Sequence, residues 1–180
     1  MAAFRTRNLL LRLCRPEDRA DFMALERDAE VMHFLNGGPV DHATTDPDAV
    51  TFLMPRGTET DVWTARREDS GEFVGWFCLH AESESRAELG YRLARRHWGQ
   101  GLASEGAAAL VEWGFETAGY CEIVACTMAI NHGSRRVMEM VGMRHTHSVV
   151  LEDGSIPGSE HGEVWYAVKR SDWRERKPTT

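Results

Sequence analysis

The segment from Tyr91 to Gly106 places the strongest constraint on how this chain folds. Alternating apolar residues that end at Leu93 predict a β-strand, and a basic turn with Gly99 and Gly101 leads from it directly into a helix. Such a junction presents unpaired backbone N–H groups and the positive end of a helix dipole to an anion. Because glycine has no Cβ, a phosphate can approach the main chain closely. The segment therefore predicts a strand–turn–helix unit that binds a phosphorylated cofactor.

Two familiar phosphate-binding motifs do not fit this turn. A dinucleotide fingerprint requires G-x-G-x-x-G, and Ser104 stands where its last glycine belongs. A nucleoside-triphosphate loop requires a lysine and a hydroxyl residue after its second glycine, and Ala107 and Ala108 stand there instead. What remains is an R-x-x-G-x-G pattern at residues 96–101. Taken alone, this pattern is equally consistent with a helix entry whose glycines serve only the geometry of the turn.

The residues after the turn continue the alternation of strand and helix. Small and apolar residues recur at i, i+4 from Leu102 to Gly114, which predicts a helix that packs closely on a sheet and ends near Gly119. Residues 121–128 then predict a largely buried strand, and a second helix follows from residue 131. The order strand, turn, helix, strand, helix runs through residues 87–143 without a gap.

This stretch resembles the core of the GNAT acetyltransferase superfamily. Its turn is similar to the superfamily's acetyl-coenzyme A loop, and the residues from Asn131 to Ser134 are similar to its N-x-x-S helix start. The opening Thr6–Arg12, the strand Ala87–Tyr91 and the turn itself most resemble the RimJ/RimL branch. That branch acetylates the N-terminal α-amines of ribosomal proteins, and it also includes enzymes that act on small amines and antibiotics.

The resemblance implies the GNAT fold, of the α/β (α+β) class. This fold is a mixed, mostly antiparallel sheet of six or seven strands with helices on both faces and one central parallel pair. In the family the parallel strands splay apart, and the pantetheine arm of coenzyme A lies in the gap. Gly90 is compatible with a β-bulge or with close packing.

Turn residues and periodicity predict the remaining elements of the chain. Strands are predicted at Asn8–Leu13, Val62–Arg66, Phe73–His80, Glu88–Leu93, Arg144–Leu151 and Glu163–Lys169. Helices are predicted over Pro16–Ala29 and Val50–Met54, a loop at Phe34–Pro39, and turns at Glu68–Gly71 and Glu152–Ser155.

The resemblance also implies acetyl-coenzyme A as the cofactor, together with the residues that hold it. In the family, the residue that matches Asn131 hydrogen-bonds the pantetheine arm, although Asn131 also suits a helix cap. Trp98 either covers the cofactor or anchors the helix. The predicted cofactor-binding residues are Tyr91, Arg92, Leu93, Arg96, His97, Trp98, Gly99, Gln100, Gly101, Leu102, Ala103, Asn131 and Ser134.

Acetyl transfer from a thioester to an amine needs a base for the amine, stabilisation of an oxyanion and a proton for the leaving thiolate. Glu88 is the candidate base, directly or through water, because it lies on the strand face opposite Leu89 and Tyr91. Its alternative is a surface ion pair with a neighbouring arginine. The resemblance makes Ser134 the candidate proton donor, and a helix cap is its alternative. Tyr91 is a second candidate donor, although its position favours packing.

Composition narrows the remaining classes. The chain has 180 residues, 42% of them hydrophobic, which predicts one domain over 1–180, with a flexible tail at 174–180. The net charge of −7 disfavours nucleic-acid binding, while a basic island at Arg86–His97 suits an anionic cofactor. We expect no membrane segment, a cytoplasmic location, and four cysteines that are small buried hydrophobes. His145 and His147 fall on one strand face without a third ligand, so no metal is expected.

These observations predict an N-acetyltransferase that moves an acetyl group from acetyl-coenzyme A to a primary amine by direct attack in a ternary complex. The acceptor stays open among protein N-termini, polyamines and antibiotic-like small amines, and a homodimer would be ordinary for this branch. The alternative from another class is a non-catalytic acyl-coenzyme A-binding or regulatory module. A nucleotide-dependent kinase is a weaker alternative, since the turn lacks the required lysine.

Overall fold

A single mixed sheet forms the centre of the protein, in a computed structural model that describes residues 3–36, 55–150 and 158–176. The strands are β1 Phe4–Arg5, β2 Leu9–Leu13, β3 Val62–Arg67, β4 Phe73–Ala81, β5 Arg86–Leu93, β6 Glu122–Met128, β7 Arg144–Val149 and β8 Glu163–Lys169. The helices are α1 Arg19–Glu26, α2 Ala29–Asn36, α3 Leu102–Glu116, α4 His132–Met140 and α5 Arg170–Arg176, with short 3₁₀ turns at Pro16–Asp18, Arg95–His97 and Ser159–His161.

The sheet order is β1-β2-β3-β4-β5-β6-β8-β7, and among the described strands only β5 and β6 run parallel. Their ladder contains three residue pairs and ends at Glu88 and Val124, after which the two strands are no longer paired. The predicted fold, with its splayed central parallel pair, is confirmed. The sheet has eight strands rather than six or seven, because the two-residue strand β1 is too short to show a period in the sequence.

Helix α3 packs on one face of the sheet through its small residues. A Cβ at Gly106 would collide with the ring of Phe77, and one at Gly114 would lie 2.7 Å from Leu79 Cδ2. The predicted stripe of small residues therefore lets the helix backbone approach the sheet. Helices α1 and α2 belong to a second, smaller apolar cluster, which includes Phe22 and Phe73.

The N-terminal helical region differs from its prediction. Instead of one helix over Pro16–Ala29, a 3₁₀ turn and α1 are followed by a separate helix, α2, which extends to Asn36 and so takes up the first part of the predicted loop. The cause is Asp28, whose side chain accepts a hydrogen bond from Glu30 N at 3.0 Å and whose carbonyl accepts one from Met32 N. The predicted helix at Val50–Met54 and the turn at Glu152–Ser155 lie outside the described residues.

Two other expectations are corrected, and the structure decides between the two interpretations of Gly90. The register between β4 and β5 runs without a shift through Gly90, so no bulge lies there; a Cβ would come 2.7 Å from Cys78 Sγ, and packing is the reason for the glycine. A bulge lies instead at Thr146 of β7, and it turns the adjacent histidines to opposite faces. Cys121 is exposed rather than buried.

The predicted strands at Val62–Arg66, Phe73–His80 and Glu163–Lys169 are confirmed within one residue at each end. Helix α5 includes Arg174–Arg176, the first three residues of the predicted tail. None of the helices in the described ranges has the length and apolarity that crossing a bilayer requires.

Candidate active site

The turn before α3 has the geometry that an anion needs. Gly99 and Gly101 both adopt left-handed backbone conformations, with φ of +71° and +78°. A Cβ added to either residue would have no described atom within 4 Å, so the space above the turn is open. Gly101 is the N-cap of α3, and no side chain in the described part of the chain caps it. The N–H groups of the first turn of this 15-residue helix are therefore available to a ligand.

Side chains of the predicted cofactor loop hold the turn in place. Arg96 donates to Glu72 Oε1 at 2.6 Å and to Phe73 O at 3.0 Å, and the buried His97 ring lies 3.1 Å from the same carbonyl. These contacts fasten the turn to the start of β4. Arg96 is therefore already engaged by protein groups, and the part of this loop that stays open is its backbone.

Trp98 and Gln100 complete the attachment of the turn. The indole N–H of Trp98 donates to Leu93 O at 2.9 Å while 47% of the residue remains exposed, so it anchors the turn to the end of β5. Gln100 Nε2 donates to Arg96 O at 2.8 Å. Leu102 is buried in the core and Ala103 packs against it, which leaves their backbone rather than their side chains for a ligand.

The gap between β5 and β6 begins where their ladder ends, beside the turn. From Leu89 to Leu93, the β6-facing edge of β5 has no strand partner. Unpaired backbone groups along a strand edge can hydrogen-bond an extended ligand. The predicted position of the pantetheine arm coincides with this gap.

Glu88 stands at the mouth of the gap, half-buried, on the face away from α3. Its Oε1 lies 3.5 Å from Cys126 Sγ on β6. The proposed alternative, an ion pair with a neighbouring arginine, is not formed: Arg86 pairs with Glu82 and Glu122, and Arg92 pairs with Glu26. Within the described ranges the Glu88 carboxylate makes no ion pair, so it is free to accept a proton from a ligand.

The thiol of Cys126, next to Glu88, does not form a thiolate that could replace Glu88 as the base. Burial is the main cause that raises the pKa of its thiol, and the nearby Glu163 and Glu88 carboxylates raise it further. The thiol therefore stays protonated in the neutral pH range and donates toward Glu88. Nothing in the sequence indicated this contact, because Cys126 and Glu88 are 38 residues apart.

Arg92 was expected at the cofactor, but its side chain lies on the α1 face of the sheet. It forms an ion pair with Glu26 in which the two side chains are 7% and 0% exposed. Its guanidinium also stands 5.1 Å from the centroid of the Trp76 ring. Burial lowers the pKa of Arg92 to about 10, which still leaves it charged. Glu26 carried no sequence signal, since a glutamate near a helix end is ordinarily exposed.

Helix α4 brings Asn131 and Ser134 to the other side of the gap. Asn131 is the N-cap, and its Oδ1 accepts from Ser134 N at 3.1 Å. Ser134 therefore does not cap the helix, and its hydroxyl lies 2.9 Å from the Tyr91 hydroxyl. Burial is the main cause that raises the pKa of Tyr91 to about 12. The structure thus brings together Tyr91 and Ser134, which the sequence treated as alternative proton donors.

Glu105, in the first turn of α3, is a structural residue that sequence reasoning missed. It accepts hydrogen bonds from Thr6 Oγ1 and from the backbone and side-chain nitrogens of Asn8, at 2.5 to 2.8 Å. Burial alone would raise the pKa of Glu105, but these hydrogen bonds lower it overall. The residue ties the N-terminal strands to the helix that carries the turn.

His145 and His147 do not form a metal site. The ring of His145 meets Tyr166 edge-on with centroids 5.6 Å apart, whereas His147 stacks on Trp165 at 5.8 Å. Across residues 3–36, 55–150 and 158–176, no group of three or more histidine, cysteine or acidic side chains could hold a metal ion.

Coenzyme A fits the residues that are present. The open glycine turn and the uncapped helix suit its diphosphate, and the unpaired edge of β5 suits an extended arm with amide groups. Asn131 and Ser134 border the gap from the side of α4.

The comparisons with known proteins agree with this fit. The family model described as an Acetyltransferase (GNAT) domain matches residues 8–144. The FsC-acetyl coenzyme A-N(2)-transacetylase of Aspergillus fumigatus is 36% identical over 180 residues, which cover 91% of this chain and 74% of that protein.

Two solved structures share the fold at 15% sequence identity. The spermidine N-acetyltransferase of Vibrio cholerae, in complex with CoA and spermine, superposes with a TM-score of 0.77 over 94% of this chain and 99% of that chain. The ribosomal-protein-S5-alanine acetyltransferase of Vibrio fischeri superposes with a TM-score of 0.73 over 99% of this chain and 100% of that chain.

Proposed function

The chain belongs to the GNAT acetyltransferase family, and we propose that it acetylates a primary amine with Glu88 as the general base. It is an N-acetyltransferase that uses acetyl-coenzyme A. The observation that carries the proposal is the position of the Glu88 carboxylate, which stands unpaired among the described residues where β5 and β6 diverge. A carboxylate at such a site can take the proton that an ammonium group must lose before it attacks.

Bound acetyl-coenzyme A supplies the acetyl group as an activated thioester. The backbone N–H groups from Gly99 to Ala103 would hold its anionic diphosphate, and the positive end of the α3 dipole would strengthen that binding. Glu88 accepts the proton of the acceptor amine at a carboxylate oxygen, directly or through one water molecule. The bond between the acetyl carbon and the coenzyme A sulfur would break as the new C–N bond forms, and Ser134, across the gap, would give its hydroxyl proton to the leaving thiolate.

The acceptor belongs to one of two kinds, a protein N-terminal α-amine or a small amine. An α-amine with a pKa of about 7.7–8.0 needs less help from one carboxylate than an alkylamine with a pKa near 10.4. Among the structural relatives, one acts on a ribosomal protein, which suits the RimJ/RimL branch, and another is a spermidine N-acetyltransferase. The four free cysteines support a reducing compartment such as the cytoplasm.

A thiol-release assay tests the proposal. The protein is mixed with acetyl-coenzyme A and a panel of peptides with free N-termini, polyamines and aminoglycosides, with N-acetylated peptides as blocked controls. We expect thiol release with at least one class of free amine and none with its blocked counterpart. Binding of the cofactor by calorimetry without turnover on any amine would instead support the non-catalytic acyl-coenzyme A-binding module.

A further inference from the structure

The Tyr91 hydroxyl makes two close contacts with one residue across the gap. The hydroxyl donates to Ser134 O at 3.1 Å and lies 2.9 Å from Ser134 Oγ, a contact in which either oxygen can be the donor. Tyr91 is three residues beyond Glu88, where the β5–β6 ladder ends, and Ser134 lies in the first turn of α4, which follows β6. The contact therefore joins the two sides of the gap at a level where their strands are no longer paired.

Counting donors and acceptors limits where the single phenol proton can go. A tyrosine hydroxyl has one proton to donate. The carbonyl of Ser134 is an acceptor in the α-helical pattern of α4, in which the amide of Met138 occupies the i+4 position. The amide of Ser134 already donates to Asn131 Oδ1. A phenol proton that lies near both the carbonyl and Oγ of one residue can be shared between them in a three-centre bond, and in that arrangement Ser134 Oγ is an acceptor.

A proton received by Ser134 Oγ determines the direction of the serine's own proton. A hydroxyl oxygen that accepts from Tyr91 keeps its O–H for another partner, and that O–H turns away from the tyrosine. If the bond ran in the opposite sense, the serine proton would point at Tyr91 and would be lost to a ligand. Tyr91 keeps its proton throughout the neutral range, because burial raises the pKa of its phenol to about 12.

Packing fixes Tyr91 well enough for this role. Its ring packs against that of Phe77, with centroids 6.0 Å apart, and the residue borders the main hydrophobic core. A side chain held by a core can keep its polar tip in one place, and the half-buried Ser134 hydroxyl then has a fixed partner.

We propose that Tyr91 is a positioning residue whose hydroxyl donates to Ser134 Oγ and so directs the Ser134 O–H into the gap. The proposal rests on the proposed function, in which Ser134 is the hydrogen-bond donor at the reacting end of the cofactor. In this role the Tyr91 hydroxyl touches neither substrate nor cofactor, and its effect on turnover passes through Ser134.

A double-mutant cycle measures that dependence. Tyr91→Phe removes only the hydroxyl, and we expect it to lower kcat about 3- to 10-fold, the range of a typical hydrogen bond, with little change in KM for acetyl-coenzyme A. In a Ser134→Ala background, the same change should lower kcat less than about twofold, since the alanine retains the carbonyl but has no hydroxyl to direct. Tyr120→Phe, on a half-buried tyrosine outside the site, serves as the matched control and should leave kcat unchanged.

Two kinetic outcomes would overturn the proposal. A kcat for Tyr91→Phe within about twofold of wild type would show that the hydroxyl has no influence on turnover. An equal loss in the wild-type and Ser134→Ala backgrounds would show that Tyr91 acts through the packing of the core rather than through Ser134.

A spectroscopic measurement decides the contact independently of activity. With tyrosine labelled at ¹³Cζ, the signal of Tyr91 should move when Ser134 becomes alanine, whereas the signal of Tyr120 should not. An unmoved Tyr91 signal would refute the hydrogen bond to Oγ. If the wild-type protein acetylated no amine while the Tyr91 signal still moved, the proposed function would fall and the contact would stand.

Discussion

Two regions on the same face of the sheet treat their charged groups in opposite ways. At the mouth of the β5–β6 gap, Glu88 is half-buried and has only the Cys126 thiol as a hydrogen-bond partner among the described residues. Four residues along β5, under α1, Arg92 is sealed against Glu26 and Trp76. The strand period places both side chains on one face, yet one group is left for a ligand and the other is neutralised by the protein.

The surroundings of Arg92, which we call the closed region, also include Asp18; the surroundings of Glu88 are the open region. The Asp18 carboxylate is 1% exposed, and it accepts two hydrogen bonds of 2.7 Å from Arg12, one of 2.6 Å from Thr64 and one of 3.0 Å from Arg15 N. A buried charge with a full set of partners stabilises the fold only as long as the set is complete. The two regions therefore differ in whether their charged groups have protein partners, not in whether they carry charge. Substitutions in the open region should lower activity, and substitutions in the closed region should lower stability.

The largest expected effect comes from the open region. Glu88→Gln removes the base while keeping its shape, and turnover should fall about 10²- to 10⁴-fold with little change in the free energy of unfolding. Steady-state kinetics and urea denaturation measure the two quantities. Glu84→Gln, an exposed glutamate before β5, is the control. A loss of turnover below about threefold in a folded protein would remove Glu88 from the mechanism.

In the closed region the effect should fall on stability. Arg92→Met leaves Glu26 as an uncompensated buried charge, and the free energy of unfolding should drop by about 3–5 kcal/mol. Adding Glu26→Met removes that charge and should restore much of the loss. Arg67→Met, which breaks a surface pair with Asp69, should cost far less stability. If Arg92→Met and Arg67→Met destabilised equally, the distinction between the regions would be lost.

The second buried charge adds a dependence on pH. Burial would raise the pKa of Asp18, but hydrogen bonds from Arg12, Thr64 and Arg15 outweigh it and lower the pKa overall. A carboxyl with a depressed folded-state pKa contributes stability that is complete above its unfolded value of about 3.9 and is lost as the pH falls through the folded value. Asp18→Asn should cost about 1.5–3 kcal/mol at pH 7.

The difference in stability between Asp18→Asn and wild type should begin to narrow below about pH 4 and should close as the pH falls through the depressed folded-state pKa of the wild-type carboxyl. Urea denaturation at a series of pH values from neutral to acidic measures this difference in the free energy of unfolding. The exposed Asp69→Asn is the reference variant and should show little loss at neutral pH. A stability difference that stayed constant down to the acid transition would show that the charge of Asp18 does not contribute to the stability of the fold.

The smallest expected effect comes from comparing two glycines at the two ends of α3, one at the predicted cofactor turn and one away from it. Gly101 and Gly119 have φ of +78° and +85°, and neither would place a Cβ within 4 Å of a described atom. Alanine at either position should cost about 1–2 kcal/mol of stability. Only Gly101→Ala should also weaken coenzyme A binding, by about 3- to 10-fold in calorimetry, because its Cβ enters the open space above the turn. Equal affinities for the two variants would place the diphosphate elsewhere.

The sequence predicted the elements that begin and end with local signals. The turn at Gly99–Gly101 and the small-residue stripe of α3 act within a few residues and are found where they were expected. The sequence allowed a cap at Asn131 or at Ser134, and the structure has it at Asn131. The parallel pair and its divergence came from the family resemblance, since strand pairing over distance has no local signature.

Contacts between distant residues could not be predicted. The Glu26–Arg92 pair, the Glu105 bonds to Asn8 and the Tyr91–Ser134 contact join residues 43 to 97 positions apart, and each depends on the packed fold. The histidines of β7 show the same limit: a single bulge residue, Thr146, reversed the face that strict alternation assigns.

The short ladder between β5 and β6 gives the sheet a seam. Among the described strands, five lie on one side of it and three on the other, and the ladder that joins the two blocks contains three residue pairs. A molecule lying in the gap would extend that connection by supplying hydrogen-bond partners where the neighbouring strand is missing. A ligand bound in the gap would then link the two blocks of strands through additional hydrogen bonds. How rigidly the blocks are held relative to each other would depend on whether the cofactor is bound.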